Sequence, residues 1–136
     1  MRALMEGLSR HYPLRTDGDR EYSLEIDPRT TGPEMLPLLA ELGFNRVSMG
    51  IQDFDPQVQR AVNRVQDVDH TLGLIRQARE VGFVSVSVDL IYGLPHQDLE
   101  RFEKTLDLVV EARPDRIATY NYAHLPRMFK AQRLIR

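Results

Sequence analysis

Phe83-Val84-Ser85-Val86-Ser87-Val88-Asp89-Leu90 is the stretch from which the fold is read. Side chains alternate across a β-strand, so Val84, Val86, Val88 and Leu90 share one face while Ser85, Ser87 and Asp89 share the other. Tyr92-Gly93-Leu94-Pro95 breaks the strand, and Asp98 caps a helix that ends before Pro114. Arg116 to Tyr120 reads as the next strand. Working back, Asp67 caps a helix that runs to Val81 and is closed by Gly82, and Asp55-Pro56 opens a short helix to about Asn63. Arg46 to Met49 and Tyr22 to Ile26 are strands. Between them a helix runs from Pro33 to Leu42 and stops at Gly43. Strands that alternate with helices predict βαβ units, hence an α/β fold with a parallel sheet. Met1 to about Tyr12 reads as a helix following a strand outside the chain, and Pro126 to Arg136 begins a further helix. On this pattern the chain is expected to be a segment cut from a longer repeat.

A parallel strand covered on both faces is nearly all apolar. These strands instead have one polar face: Ser85, Ser87 and Asp89; Ser23, Glu25 and Asp27; Ser48, Gly50 and Gln52. That face meets water, a ligand or a polar network, because an unpartnered buried carboxylate costs several kcal/mol. Glu25, Gln52 and Asp89 lie toward the C-terminal ends of their strands, where α/β barrels hold their chemistry. An open two-layer sheet with one wet face gives the same alternation. Such sheets are more often antiparallel, whereas helical crossovers favour parallel strands.

Composition narrows the function classes. The 136 residues suit one domain, with 28% charged and 42% hydrophobic residues as in ordinary globular chains. A formal net charge of -2 provides no broad basic field for nucleic acid or anionic lipid. There is no cysteine, so the chain itself offers no disulfide, thiolate nucleophile or thiolate ligand. No membrane-length apolar run or signal-peptide core is present, and the cytoplasm is the expected location.

Several residues could carry chemistry. Glu25 and Asp27 are paired carboxylates able to act as acid and base, hold a cation or accept hydrogen bonds from hydroxyl and ammonium groups; a solvated strand end gives the same pair. Arg64 in Val62-Asn63-Arg64-Val65-Gln66 could grip a carboxylate with parallel hydrogen bonds, or serve as surface charge. His124, in the polar-aromatic run Tyr120-Asn121-Tyr122-Ala123-His124-Leu125-Pro126, suits a binding loop or simple loop packing. His11, His70 and His96 lack ligand spacing, which argues against zinc. Nucleophile-elbow, phosphate-loop and dinucleotide fingerprints are absent.

Five stretches, in order, carry a resemblance. They are Glu25-Ile26-Asp27-Pro28-Arg29; Gly43-Phe44-Asn45-Arg46-Val47-Ser48-Met49-Gly50-Ile51-Gln52-Asp53-Phe54; Val62-Asn63-Arg64-Val65-Gln66-Asp67; Val88-Asp89-Leu90-Ile91-Tyr92-Gly93-Leu94-Pro95; and Asn121-Tyr122-Ala123-His124-Leu125-Pro126. Together they resemble the oxygen-independent coproporphyrinogen III oxidases, from about Leu4 to the end. The resemblance implies a segment of a partial triosephosphate-isomerase-type (β/α) barrel with about four parallel strands present. It also implies a radical S-adenosylmethionine oxidoreductase of heme and porphyrin biosynthesis, which oxidatively decarboxylates two propionates of coproporphyrinogen III to vinyl groups by way of a deoxyadenosyl radical. By motif position the S-adenosylmethionine contacts fall on Glu25, Gln52, Arg64, Asp89 and Ala123.

The same resemblance implies a [4Fe-4S] cluster whose CxxxCxxC ligands are absent here. Residues 1–136 are then the central part of the barrel domain, without the cluster loop or the C-terminal helical domain. The isolated chain is expected to be inactive, to bind S-adenosylmethionine weakly or not at all, and to aggregate through an exposed sheet edge. The parent is expected to be a cytoplasmic monomer that uses an electron donor. A radical S-adenosylmethionine heme chaperone shares the glutamine and the Tyr92-Gly93-Leu94-Pro95 turn and is the nearest rival; a non-catalytic cofactor-binding remnant is another.

Overall fold

The computed structural model describes residues 1–134. Its elements follow the βα alternation: α1 (Arg2–Ser9), β1 (Ser23–Ile26), α2 (Met35–Glu41), β2 (Arg46–Gln52), α3 (Pro56–Ala61), α4 (Val68–Glu80), β3 (Ser85–Tyr92), α5 (Leu99–Ala112) and β4 (Arg116–Asn121), then a 3-10 turn (Lys130–Leu134). The strands form one parallel sheet in the order β1-β2-β3-β4. Each crossover steps to the adjacent strand in the same direction. Crossovers of one hand therefore put their helices on one face of the sheet and leave the other face uncovered.

The helix starts are built as the sequence indicates. Asp55 Oδ1 accepts from the N–H groups of Gln57 and Val58 at 2.8 and 3.0 Å, with Pro56 in the first turn. Asp67 accepts from His70 N at 2.6 Å and Asp98 from Arg101 N at 2.9 Å. Gly43 and Gly82 end α2 and α4 at φ values of 93° and 97°, a region open to glycine without steric cost.

The core lies between the apolar strand faces and the helices. Met49, Ile51, Val86, Val88 and Leu90 pack with Leu36 and Leu39 of α2, Leu74 and Ile75 of α4, and Val109 of α5. Burying side chains of this size contributes about 1.5–3 kcal/mol each before the opposing chain entropy.

Some expectations change. Val84 precedes β3 and is 66% exposed, so it does not share the apolar face of Val86, Val88 and Leu90. Its N–H bonds to Asn45 O at 2.8 Å as the chain enters the sheet, while Phe83 is buried. β2 runs past Met49 to Gln52 and contains a bulge: Gly50 pairs with Asp89, but Gln52 pairs with Leu90. The first helix stops at Ser9. Of the helix expected from Pro126 to Arg136, residues 135–136 lie outside the described residues, and Lys130–Leu134 form only a 3-10 turn.

Candidate functional site

The uncovered sheet face holds a groove of about 320 Å³ bordered by Glu25 of β1, Ser48 of β2, Ser87 and Asp89 of β3, and Ala118 and Tyr120 of β4. Strand register explains this lining. Glu25 lies beside Ser48, Gly50 beside Asp89, and Asp89 beside Ala118, so the polar alternates of neighbouring strands form rows across one face. A larger cavity of about 660 Å³ lies at the other end of β1, between α1 and the chain around Tyr22 and Leu42. Several of its charges are already engaged: Glu41 with Arg2, Arg15 with Asp17, and Arg20 with the Gly43 carbonyl. The groove is where unmatched donors and acceptors meet.

At its strand-end rim, Arg64 and Gln52 converge on Gly50. The Arg64 guanidinium donates through Nη2 to the Gly50 carbonyl at 3.0 Å. A Cβ on Gly50 would stand 2.8 Å from Gln52 Nε2 and 2.9 Å from Arg64 Nη2, so only glycine leaves room for both groups. Gln52 has φ +67°, a left-handed conformation that glutamine rarely adopts. Asn63, just before Arg64, is also left-handed at φ +52°, which asparagine tolerates better.

Electrostatics tie these groups together. Burial lowers the Arg64 pKa, while the nearby charges of Asp27 and Glu25 oppose that shift. Its Nε is buried and has no hydrogen-bond partner. Asp89 is pushed above the ordinary carboxylate value, first by burial and then by the negative charge of Glu25. The charge of Glu25 therefore acts on both Arg64 and Asp89.

Asp27 behaves otherwise than its pairing with Glu25 suggested. Arg29 grips its carboxyl at 3.0 and 2.6 Å, and these hydrogen bonds hold it down at about 2. Asp27 also lies 3.7 Å from Arg64, as a counter-charge behind the guanidinium. It is an anchored anion, poorly suited to proton transfer near neutral pH.

Ala123 stands apart from the Gly50 cluster. It follows β4, two strand spacings from β2 or roughly 10 Å. The Tyr122 N–H extends the ladder to Tyr92 O at 2.9 Å, and the Ala123 carbonyl accepts from Gln132 Nε2 at 3.1 Å. His124 stacks on Tyr122 with ring centroids 6.1 Å apart and meets the Gln132 carbonyl at 3.2 Å, so its visible contacts belong to loop packing.

Sequence reading missed the supports of this site. Gln66 donates through Nε2 to Ile51 O, and its own N–H bonds to Gln59 Oε1 at 3.2 Å. Gln59 in turn donates to Asp53 O at 3.0 Å. A usable signal was the run of amides Gln52, Gln59 and Gln66 beside apolar positions, because buried amides need partners.

This geometry can be set beside known proteins. Residues 2–109 match the family model described as the Radical SAM superfamily. The chain belongs to the radical S-adenosylmethionine (SAM) superfamily. It is 47% identical over 135 residues to an oxygen-independent coproporphyrinogen III oxidase of Pseudomonas aeruginosa, covering 99% of this chain and 29% of that protein. It is 52% identical over 120 residues to the enzyme of the same name from Escherichia coli, covering 88% of this chain and 26% of that one. The solved structure of the E. coli coproporphyrinogen III oxidase HemN, described as a radical SAM enzyme, superposes with a TM-score of 0.93 at 48% identity, over 99% of this chain and 31% of its own.

The chain thus spans less than a third of the relatives it matches. Its four parallel strands are a segment of the partial triosephosphate-isomerase-type barrel of the radical SAM fold. Membership implies S-adenosylmethionine and a [4Fe-4S] cluster as the cofactors of the superfamily. Among the described residues, no helix is long and apolar enough to cross a membrane.

Proposed function

We propose that this chain is the central, cofactor-contacting part of an oxygen-independent coproporphyrinogen III oxidase, and that Glu25, Gln52, Arg64, Asp89 and Ala123 hold S-adenosylmethionine. The observation that carries the reading is Arg64. It is a half-buried guanidinium with an unpartnered Nε, and it converges with Gln52 on Gly50 at the C-terminal end of β2. A methionine carboxylate is the anion such a planar fork receives, with Asp27 behind it fixing the orientation. Glu25 and Asp89 suit an ammonium group or ribose hydroxyls, because carboxyl oxygens accept hydrogen bonds. The raised pKa of Asp89 is relieved when a cation or hydroxyl donors enter the groove. Ala123 contributes shape or a main-chain group beyond β3.

These donors and acceptors fit S-adenosylmethionine, which when bound supplies the radical precursor of the superfamily's chemistry. They do not fit the iron–sulfur cluster, because the chain contains no cysteine. No electron-transfer step is therefore assigned to its residues. In this reading the cluster ligands, the electron donor's docking surface and most tetrapyrrole contacts belong to other parts of the parent enzyme.

The test has two arms. The first titrates the ¹⁵N-labelled chain with millimolar S-adenosylmethionine, a range suited to the weak affinity expected of a half-site. Saturable shifts should centre on Gln52, Arg64 and Asp89, and Arg64→Gln should weaken them about tenfold. Shifts confined to Tyr12 and Leu42, or no binding by the longer enzyme carrying this segment, would sink the cofactor assignment. In the second arm, the longer enzyme carrying this segment should convert coproporphyrinogen III to protoporphyrinogen IX without oxygen. Stable heme binding without decarboxylation would favour a heme chaperone instead.

A further inference from the structure

Asp53 adjoins the site but is not assigned to ligand binding. It is almost wholly buried, with 1% of its surface exposed, and its carboxyl group is met by neutral donors. Oδ1 accepts from Thr105 Oγ1 at 2.8 Å and from the Asp55 N–H at 2.7 Å; Oδ2 accepts from Gln97 Nε2 at 2.5 Å. Its carbonyl accepts from Gln59 Nε2 at 3.0 Å, and its N–H bonds to Ile51 O at 2.9 Å. The residue is tied on every polar atom.

The partner Gln97 is equally constrained. Its Nε2 also donates to Ile91 O at 2.9 Å, while its Oε1 accepts the Gly93 N–H at 2.6 Å. Both ends of the Asp53–Gln97 bond directly follow a left-handed residue that is not glycine. Gln52, at φ +67°, precedes Asp53; His96, at φ +64°, precedes Gln97. Such conformations persist only where surrounding contacts over-determine them. The bond therefore joins the turn leaving β2 to the turn leaving β3, and Thr105 fastens the β2 turn to α5 through Asp53 and Phe54.

We propose that Asp53 and Gln97 are positioning residues which hold Gln52 in its left-handed conformation, keeping its amide beside Arg64 over Gly50. The role rests on the reading that this rim binds S-adenosylmethionine. Neither residue touches the ligand. With the bond broken, Gln52 relaxes to an ordinary strand conformation, and its side chain leaves Gly50 because the bulge no longer turns it back. A purely structural Asp53 would affect unfolding alone and leave the Gln52 geometry in folded molecules unchanged.

The test uses the ¹⁵N,¹³C-labelled chain with Asp53→Asn, Gln97→Ala and, as a control, Val109→Ala, a buried core site on α5. Asp53→Asn turns one acceptor into a donor facing existing donors, while Gln97→Ala removes the partner from a half-buried turn. The first readout is the Gln52 backbone conformation, from the HN–Hα coupling and the intraresidue HN–Hα NOE. The second is the affinity for S-adenosylmethionine. Both network variants should lose the left-handed signature and bind about tenfold more weakly, whereas Val109→Ala should unfold more readily but retain both. Retention of the left-handed Gln52 in Gln97→Ala, or equal losses in Val109→Ala, overturns the proposal. If Asp53→Asn does not fold, Gln97→Ala still decides. If the unsubstituted chain gives no ligand-induced shift, the affinity is read on the longer enzyme carrying this segment, where no binding defeats the cofactor reading. The Gln52 conformation in the chain still tests the positioning role.

Discussion

Arg64 donates to the carbonyl of Gly50 at 3.0 Å, and the space beside the same glycine, where a Cβ would stand, is taken by the ends of Arg64 and Gln52. The two residues thus form one unit: a main-chain acceptor that orients a cation, and a missing side chain that lets it approach. Gly50→Ala is expected to push both flexible ends aside. Folding stability should fall by about 1 kcal/mol, because the flexible ends can move aside but the half-buried Arg64 gives up its hydrogen bond to Gly50. Affinity for S-adenosylmethionine should fall about tenfold. Calorimetry and urea unfolding on one sample separate the two effects, and an unchanged affinity would disprove the convergence argument.

Asp89 and Asp27 predict opposite pH behaviour. The folded-state pKa of Asp89 is raised by burial and by Glu25, so its contribution to stability is fully present below the unfolded-state value and lost as pH rises through the folded value. Asp27 is lowered to about 2, chiefly by the Arg29 hydrogen bonds; its contribution is present above the ordinary value and lost as pH falls toward 2. Asp89→Asn should therefore stabilise the chain at pH 7 by roughly 0.5 kcal/mol, as removal of strained functional groups often does. That advantage should disappear near pH 3, below the ordinary carboxylate pKa of about 4. Asp27→Asn should destabilise at pH 7, with the deficit shrinking toward pH 2. Urea midpoints across this range test both signs.

The polar strand faces were legible because alternation is a local property: Ser85, Ser87 and Asp89 needed no tertiary knowledge to be placed together. The caps Asp55, Asp67 and Asp98 were legible for the same reason, since each meets N–H groups two or three residues ahead. The fate of Asp27 was not, because Glu25 shares its strand face while the paired Arg29 lies past the turn. Nor was the Gln52 bulge, which depends on Asp53 reaching Thr105 and Gln97, far away in sequence. Val84 shows the limit of periodicity: it continues the apolar alternation but precedes the strand and faces solvent. Hydrogen bonds across the turn at Asp27, and long-range ones at Gln52 and Val84, decide such points, and alternation carries no record of them.

Thr105 provides a stability test of the same network. Its hydroxyl donates to Asp53 Oδ1 at 2.8 Å and accepts from the Phe54 N–H at 3.1 Å, with 1% of the residue exposed. Thr105→Val keeps the shape but leaves a buried carboxyl short of a donor and a main-chain N–H without an acceptor. Each unsatisfied group costs about 1–3 kcal/mol, so a loss of about 2–4 kcal/mol is expected. Thr105→Ser retains the hydroxyl and should recover most of that loss. If the valine variant unfolds at the unsubstituted midpoint, these bonds contribute little.

The edge of β4 carries the last prediction. β4 pairs with β3 on one side, and on it Ile117 and Tyr120 are 42% and 55% exposed. An unpaired strand edge beside exposed apolar side chains is a template for a second copy. The chain should therefore self-associate with concentration, seen as a rising sedimentation coefficient over a dilution series. Ile117→Lys places a charge on that edge and should shift the population toward monomer while retaining the Gln52 and Arg64 resonances. A chain that stays monomeric throughout and melts cooperatively would show that the edge is protected and that the four-stranded segment is stable on its own.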